Sequence, residues 1–178
     1  MKSGMIVKTH LRHITGNSIQ EEMNMTTGYL RPINERELQQ WQALSHDDYV
    51  IDLMKSFDYP RNKAEQEAAE AIQKALPLGL NTPLQHIRIY EHEHHAVGYL
   101  WYSLEERSAF LLDVMLLPSH QGKGLGKAMM QALINELRDA GANELELRVA
   151  PHNQRAISLY EQAGFRLTGL DMHLTLTR

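Results

Sequence analysis

The stretch Leu116-Leu117-Pro118-Ser119-His120-Gln121-Gly122-Lys123-Gly124-Leu125-Gly126-Lys127 decides the reading of this chain. Before it lies a nearly continuous apolar run, Ala109–Leu117, as expected of a strand covered on both faces. After it, Leu125, Met129, Leu133 and Leu137 fall at helical spacing through Gly124–Ala140, with Gly141 as the stop. A buried strand therefore runs into a helix through three alternate glycines. Glycine lets the backbone take positive φ and lets a ligand approach the main chain. The unpaired N–H groups at the helix start then face outward as an anion site, with Lys123 and Lys127 adding charge. A tight turn needs glycine for geometry alone, but three glycines with two lysines favour anion binding over that plainer account. A Walker loop is disfavoured because Ala128 stands where its Mg²⁺-binding hydroxyl belongs. A dinucleotide fingerprint is disfavoured because the third glycine comes one residue early.

Working outward, the segment Tyr29–Ile33 reads as a short strand containing Pro32. Asn34 is placed to cap a helix running to about Phe57, and Asn62 to cap a second through Lys63–Leu76. His86–Tyr90 and Ala96–Ser103 alternate at period two around a polar turn at Glu91–His95, and so predict a hairpin. Leu145, Leu147 and Val149 alternate as a further strand, and Asn153–Ala163 is a short helix ended by Gly164. Phe165–Leu170 and Met172–Leu176 are expected as final strands. The order β-α-α-β-β-β-α-β-α-β-β gives an α/β (α+β) fold: a mixed sheet with helices on its faces.

A second constellation lies on the last helix. Asn153 and Tyr160 are seven residues apart, so they share a face with Ala156 between them. A small residue flanked by two polar ones suits the floor of an extended ligand. Asn153 also suits a plain N-cap, and Tyr160 a half-buried core aromatic.

Together the two segments resemble the GCN5-related N-acetyltransferase (GNAT) family. Gln121-Gly122-Lys123-Gly124-Leu125-Gly126 fits its Q/R-x-x-G-x-G/A diphosphate motif, with Pro118 upstream. Asn153, Ala156, Tyr160 and Gly164-Phe165 match its second element. The resemblance implies a GNAT-like acyl-CoA N-acyltransferase fold over residues 25–178. It also implies acetyl-CoA as cosubstrate, held by Gln121 to Lys127 (Gln121, Gly122, Lys123, Gly124, Leu125, Gly126, Lys127) and by Asn153, Ala156 and Tyr160. The pantetheine arm would pair with the backbone of Val114, Met115 and Leu116 in a V-shaped opening between the fourth and fifth strands. The N–H of Leu116 would stabilise the oxyanion, and Tyr160 would protonate the departing thiolate. A protonated amine needs a proton acceptor; Asp113 and Glu146 are the candidates, with a water chain as the alternative. Which of the two faces the opening depends on whether the fourth strand carries a bulge.

The expected activity is transfer of acetyl from acetyl-CoA to a primary amine by direct attack in a ternary complex, since the chain has no Cys to carry the acyl group. The rival is a non-catalytic acyl-CoA-binding or sensor domain on the same fold. The acceptor is a small molecule or a peptide or protein amine, and homodimerisation is common in the family. Composition bounds the rest. The 178 residues suffice for one domain, and 43% apolar with 22% charged residues is a globular balance. A net charge of −4 argues against a nucleic-acid surface or a polybasic membrane anchor. No apolar run approaches the ~20 residues needed to span a bilayer, so a soluble, cytoplasmic protein is expected. Residues 1–24 show no sustained period and read as a leader, disordered or loosely packed. His92, His94 and His95 sit in the predicted hairpin turn and read as solvated residues, so no metal is expected.

Overall fold

The computed structural model of the chain describes residues 28–174 and 176. Residues 1–24, expected as a leader, lie outside that range, as does the start of the domain at Met25. Strand β1 (Tyr29–Pro32) leads into helix α1 (Glu35–Phe57). Asn34 caps this helix as its residue type demands: Oδ1 accepts from the Glu37 N–H at 3.0 Å, and Glu37 accepts from the Asn34 N–H at 3.1 Å. Helix α2 (Arg61–Ala75) starts two residues earlier than Asn62 suggested. Its N-cap is Pro60, which offers no side-chain cap, so Asn62 lies inside the first turn.

Strands β2 (Gln85–His92), β3 (His95–Glu105) and β4 (Ser108–Leu116) form an antiparallel meander, joined to helix α3 (Leu125–Asp139) by the glycine loop. The first hairpin is tighter than expected: only Glu93 and His94 turn, both at positive φ (50° and 62°). Strand β5 (Glu144–Leu147) then pairs parallel to β4, and helix α4 (Gln154–Gln162) follows. The five strands lie in the order β1-β2-β3-β4-β5. Apolar residues cover both faces. Leu100, Tyr102, Met129, Leu133 and Tyr160 pack on the α3–α4 side. Ile87, Ile89, Tyr99, Trp101 and Trp41 pack on the α1 side.

The register of β4 holds the feature that positions the site. Trp101 pairs with Asp113, but Tyr102 pairs with Leu111, leaving Leu112 as an extra residue in β4. The bulge switches the faces of the strand. Ala109 and Leu111 before it, and Val114 and Leu116 after it, all point into the α3–α4 core. Met115 and Leu117 point to the α1 side. The β4–β5 ladder ends at the same place, with Leu111 opposite Leu147. Beyond it the two strands part.

The two final strands expected at 165–170 and 172–176 do not form: no described residue after Gln162 belongs to a ladder or helix. The apolar alternation is present in the chain, but nothing described covers it. Leu167, Leu170, Met172, Leu174 and Leu176 stand exposed. Side chains hold the segment instead, through an Arg148–Asp171 ion pair at 2.8 Å and an edge contact of His173 on Phe57 at 5.1 Å. Among the described residues, no helix is long and apolar enough to cross a membrane.

Candidate functional site

The glycine loop ends at Gly124, which is the N-cap of α3 at φ 79°, with Gly122 likewise left-handed at φ 76°. An L side chain rarely adopts this conformation, so both positions need glycine even though a Cβ there would meet nothing. None of the described hydrogen bonds uses the N–H groups of Gly122, Lys123, Gly124, Leu125 or Gly126. Five successive N–H groups at a helix start are therefore left without a described partner, with exposed Lys123 and Lys127 beside them. Leu125 instead turns into the α3–α4 core. Gln121 braces the loop: its Nε2 donates to the Leu116 carbonyl at 3.0 Å, and its Oε1 accepts from Arg155 at 3.0 Å. Arg155 thereby adds a third cation, which the sequence analysis did not single out.

The edge of β4 is open where β5 leaves it. The Leu117 N–H crosses to the Val97 carbonyl on β3 at 2.9 Å. Successive N–H groups of a strand alternate in direction, so that of Leu116 points the other way, into the opening, while the Val114 N–H on the same edge engages the Asp113 carboxylate. Met115 lies between them on the α1 face.

Asp113, just past the bulge, faces α1. Its Oδ2 accepts from Trp41 Nε1 at 3.1 Å, and Ser45 hydrogen-bonds the same carboxylate. Burial pushes the Asp113 carboxyl above the ordinary carboxylate range. The Ser45 and Trp41 bonds pull it down, while the charge of Asp48 pushes it further up. Trp41 is wholly buried and meets Trp101 edge-on at 5.4 Å, which fixes the direction of its N–H. On sequence alone Trp41 reads as a core or pocket aromatic of the first helix. Ser45, a buried polar residue one turn further along the same helix face, was the available signal that this face meets a polar group.

Tyr160 comes from the other side of the sheet. It is 8% exposed, leans on Phe165, and no described residue hydrogen-bonds its hydroxyl. Burial first, then the negative charge of Asp113, push the phenol up to about 12. The opening thus brings together an acid and a base candidate from opposite faces of the sheet. Asn153 caps α4, its Oδ1 accepting from the Ala156 N–H at 3.2 Å, and Ala156 packs on the core below Tyr160. Glu146 is not part of this group. It is exposed, in register with Phe110, on the part of β5 that is still paired.

Among the described residues, the predicted histidine turn shows a backbone contact, His95 Nδ1 with the Glu93 carbonyl at 2.6 Å. Among the described residues no group of three or more His, Cys, Asp or Glu is arranged to hold a metal ion. An open cleft of about 490 Å³ between α1 and α2, lined by residues such as Gln42, His46, Ile72 and Gln73, shares no residue with the opening.

Residues 37–165 match the model of the Acetyltransferase (GNAT) family. The chain is 31% identical over 148 residues to the uncharacterized N-acetyltransferase YycN of Bacillus subtilis, covering 80% of this chain and 95% of that protein. The crystal structure of that acetyltransferase superposes with a TM-score of 0.79 at 30% identity, covering 85% of this chain and 99% of the other. A shorter likeness, 42% identity over 57 residues (32% of this chain, 38% of the relative), is to the ribosomal protein bS18-alanine N-acetyltransferase of Escherichia coli.

Proposed function

The chain belongs to the GNAT acetyltransferase family and is an acetyl-CoA-dependent N-acetyltransferase, and on that footing we propose that it acetylates a primary amine by direct attack within the β4–β5 opening. The observation that carries this reading is the bulge at Leu112. It ends the β4–β5 ladder and, at the same point, turns Asp113 toward α1.

The residues suit acetyl-CoA from its pyrophosphate to its thioester. The free N–H groups of Gly122 to Gly126, with Lys123, Lys127 and Arg155, suit its pyrophosphate. Val114 and Leu116 offer backbone groups along the open strand edge for the pantetheine amides. Ala156 leaves room for the thioester between α4 and β4. The Leu116 N–H then points where negative charge develops on the thioester oxygen, and a donor placed there stabilises the transition state more than the ground state.

Transfer forms a C–N bond and breaks the C–S bond; the amine loses a proton and the thiolate gains one. Asp113 takes the amine proton, with Trp41 and Ser45 holding its carboxylate in place. A raised carboxyl is the better base for an ammonium group than an ordinary one. Tyr160 meets the departing sulfur. At about 12 its phenol keeps its proton throughout the neutral range, but full donation to a thiolate of ordinary basicity is uphill by about 5 kcal/mol. Tyr160 therefore stabilises the thiolate first by hydrogen bonding. Burial of the sulfur raises its basicity in the same direction, which narrows the gap and lets the proton follow. With no cysteine in the chain, no thiol carries the acetyl group in between.

Calorimetry with acetyl-CoA, followed by thiol release across a panel of amines, tests this. The expected result is binding of acetyl-CoA and acetylation of at least one primary amine. Tighter binding of ATP or NAD than of acetyl-CoA contradicts it.

A further inference from the structure

Leu116 carries the N–H assigned above to the oxyanion, and its side chain turns into the α3–α4 core. On β3, Gly98 lies directly opposite it. Gly98 is buried and its φ is not left-handed, so the backbone conformation does not call for glycine there. The reason is space. A β-carbon at position 98 would stand 2.7 Å from the Met115 carbonyl oxygen, and 3.0 Å from both Leu116 Cδ2 and Met129 Sδ. At Gly126 a β-carbon would lie 3.5 Å from Leu116 Cδ1 and 3.5 Å from Leu159 Cδ2, which is ordinary contact. The Leu116 side chain is thus seated between two glycines, one on β3 and one in the first turn of α3, with Leu159 of α4 beside it.

The Met115 carbonyl belongs to the same planar peptide as the Leu116 N–H and points away from it, toward β3. Whatever pushes on that oxygen therefore turns the N–H. The next peptide is held separately: Gln121 Nε2 donates to the Leu116 carbonyl at 3.0 Å, and the Leu117 N–H to the Val97 carbonyl at 2.9 Å. With that peptide pinned, a push on the Met115 oxygen is taken up by rotation of the peptide before Leu116 rather than by movement of the whole strand.

We propose that Gly98 and the Leu116 side chain are positioning groups for acetyl transfer: the glycine admits the leucine and the Met115 carbonyl at close range, and the seated leucine fixes the direction of its own N–H. The inference rests on the reading of the β4–β5 opening given above. It adds that the side chain of Leu116, and not its backbone alone, sets the oxyanion donor. A hydrogen bond to a developing oxyanion weakens steeply with angle. A tilted donor therefore costs turnover, while the hold of the glycine loop on the rest of acetyl-CoA is nearly unchanged.

The test reads the carbonyl stretch of acetyl-CoA, isotope-labelled at the thioester carbonyl and bound without acceptor, by infrared difference spectroscopy. Acetyl-CoA affinity, and kcat for an amine that the panel identifies, are measured beside it. In the unaltered chain the bound carbonyl is expected to absorb at lower frequency than in free acetyl-CoA. Gly98→Ala and Leu116→Ala should each lose most of that shift and about 10–10²-fold in kcat, with the dissociation constant changed less than about threefold. Leu116→Met, which refills the seat, should restore both. Leu137→Ala makes the same truncation in the same core at the far end of α3. It should lower the melting temperature but keep the frequency and kcat. Where Gly98→Ala fails to fold, the Leu116 pair decides. The parent's frequency and kcat in Leu116→Ala or in folded Gly98→Ala overturn the inference while leaving the reading of the opening standing, and so do equal losses in Leu137→Ala. An unaltered chain that binds no acetyl-CoA, or whose bound carbonyl shows no shift, overturns both.

Discussion

Trp41 Nε1 donates to Asp113 Oδ2 at 3.1 Å, tying the buried face of α1 to the fourth strand across 72 positions of sequence. The indole can only donate, so Asp113 must accept in this bond, and the bond fixes the orientation of Oδ2. It exists because the bulge at Leu112 turns Asp113 to the α1 side of the sheet. The carboxylate is oriented by neutral donors and has no described cation beside it, which is why burial dominates its acidity.

Trp41→Phe keeps an aromatic ring against Trp101 but removes the donor. Leaving a half-buried carboxylate short of one partner costs about 1–3 kcal/mol, read as a lower melting temperature. The lost bond favoured the ionised form, so the Asp113 carboxyl moves further up. The acid limb of kcat/KM against pH should then shift to higher pH. A limb that stays in place removes Asp113 from proton transfer.

Asp113→Asn separates the role proposed for this residue as a base from a structural one. A carboxyl raised in the folded state contributes stability that is present below its unfolded value near ~3.9 and is lost as pH rises through the folded value. At neutral pH the unaltered chain therefore carries the cost of a buried charge, and the amide does not. The variant should melt no lower than the parent at pH 7, and any advantage should vanish as pH falls through the folded value of Asp113. Turnover should drop while acetyl-CoA affinity holds. A variant that melts lower at every pH points to a structural carboxylate instead.

Gly124→Ala forces an L side chain into the left-handed region at the start of α3, at a cost of about 1–2 kcal/mol. The chain can escape that strain only by moving the N–H groups that face the anion site. Acetyl-CoA binding should weaken several fold by calorimetry with the fold kept in circular dichroism. Arg155→Ala should weaken it too, while free pantetheine thioester, which lacks the pyrophosphate, should be indifferent to both. Equal losses with and without the pyrophosphate place these residues elsewhere.

The loop, the capped first helix and the pairing of Ala156 with Tyr160 were legible because each rests on local rules: glycine at positive φ, Asn and Glu in a reciprocal cap, side chains four apart on a helix. The bulge at Leu112 was not. Ala109–Leu117 is apolar almost throughout, so nothing in it marks where the alternation changes face, and the choice between Asp113 and Glu146 turned on that one residue. The final strands failed for the opposite reason. Their alternation is clear, but a strand needs a neighbour, and no described residue pairs with 165–174. Asn62 lost the cap of α2 to Pro60 because proline already supplies the extended entry a helix start requires.

The proposed mechanism stands most directly on the Tyr160 hydroxyl, which no described residue hydrogen-bonds and to which the proposal gives the proton the departing thiolate needs. Tyr160→Phe keeps the ring against Phe165 and so keeps the core. Measured together, the acetyl-CoA dissociation constant and melting temperature should change little, while kcat falls by about 10²–10⁴-fold. Full turnover in a stable Tyr160→Phe protein would contradict the account and leave the tyrosine as a packing residue.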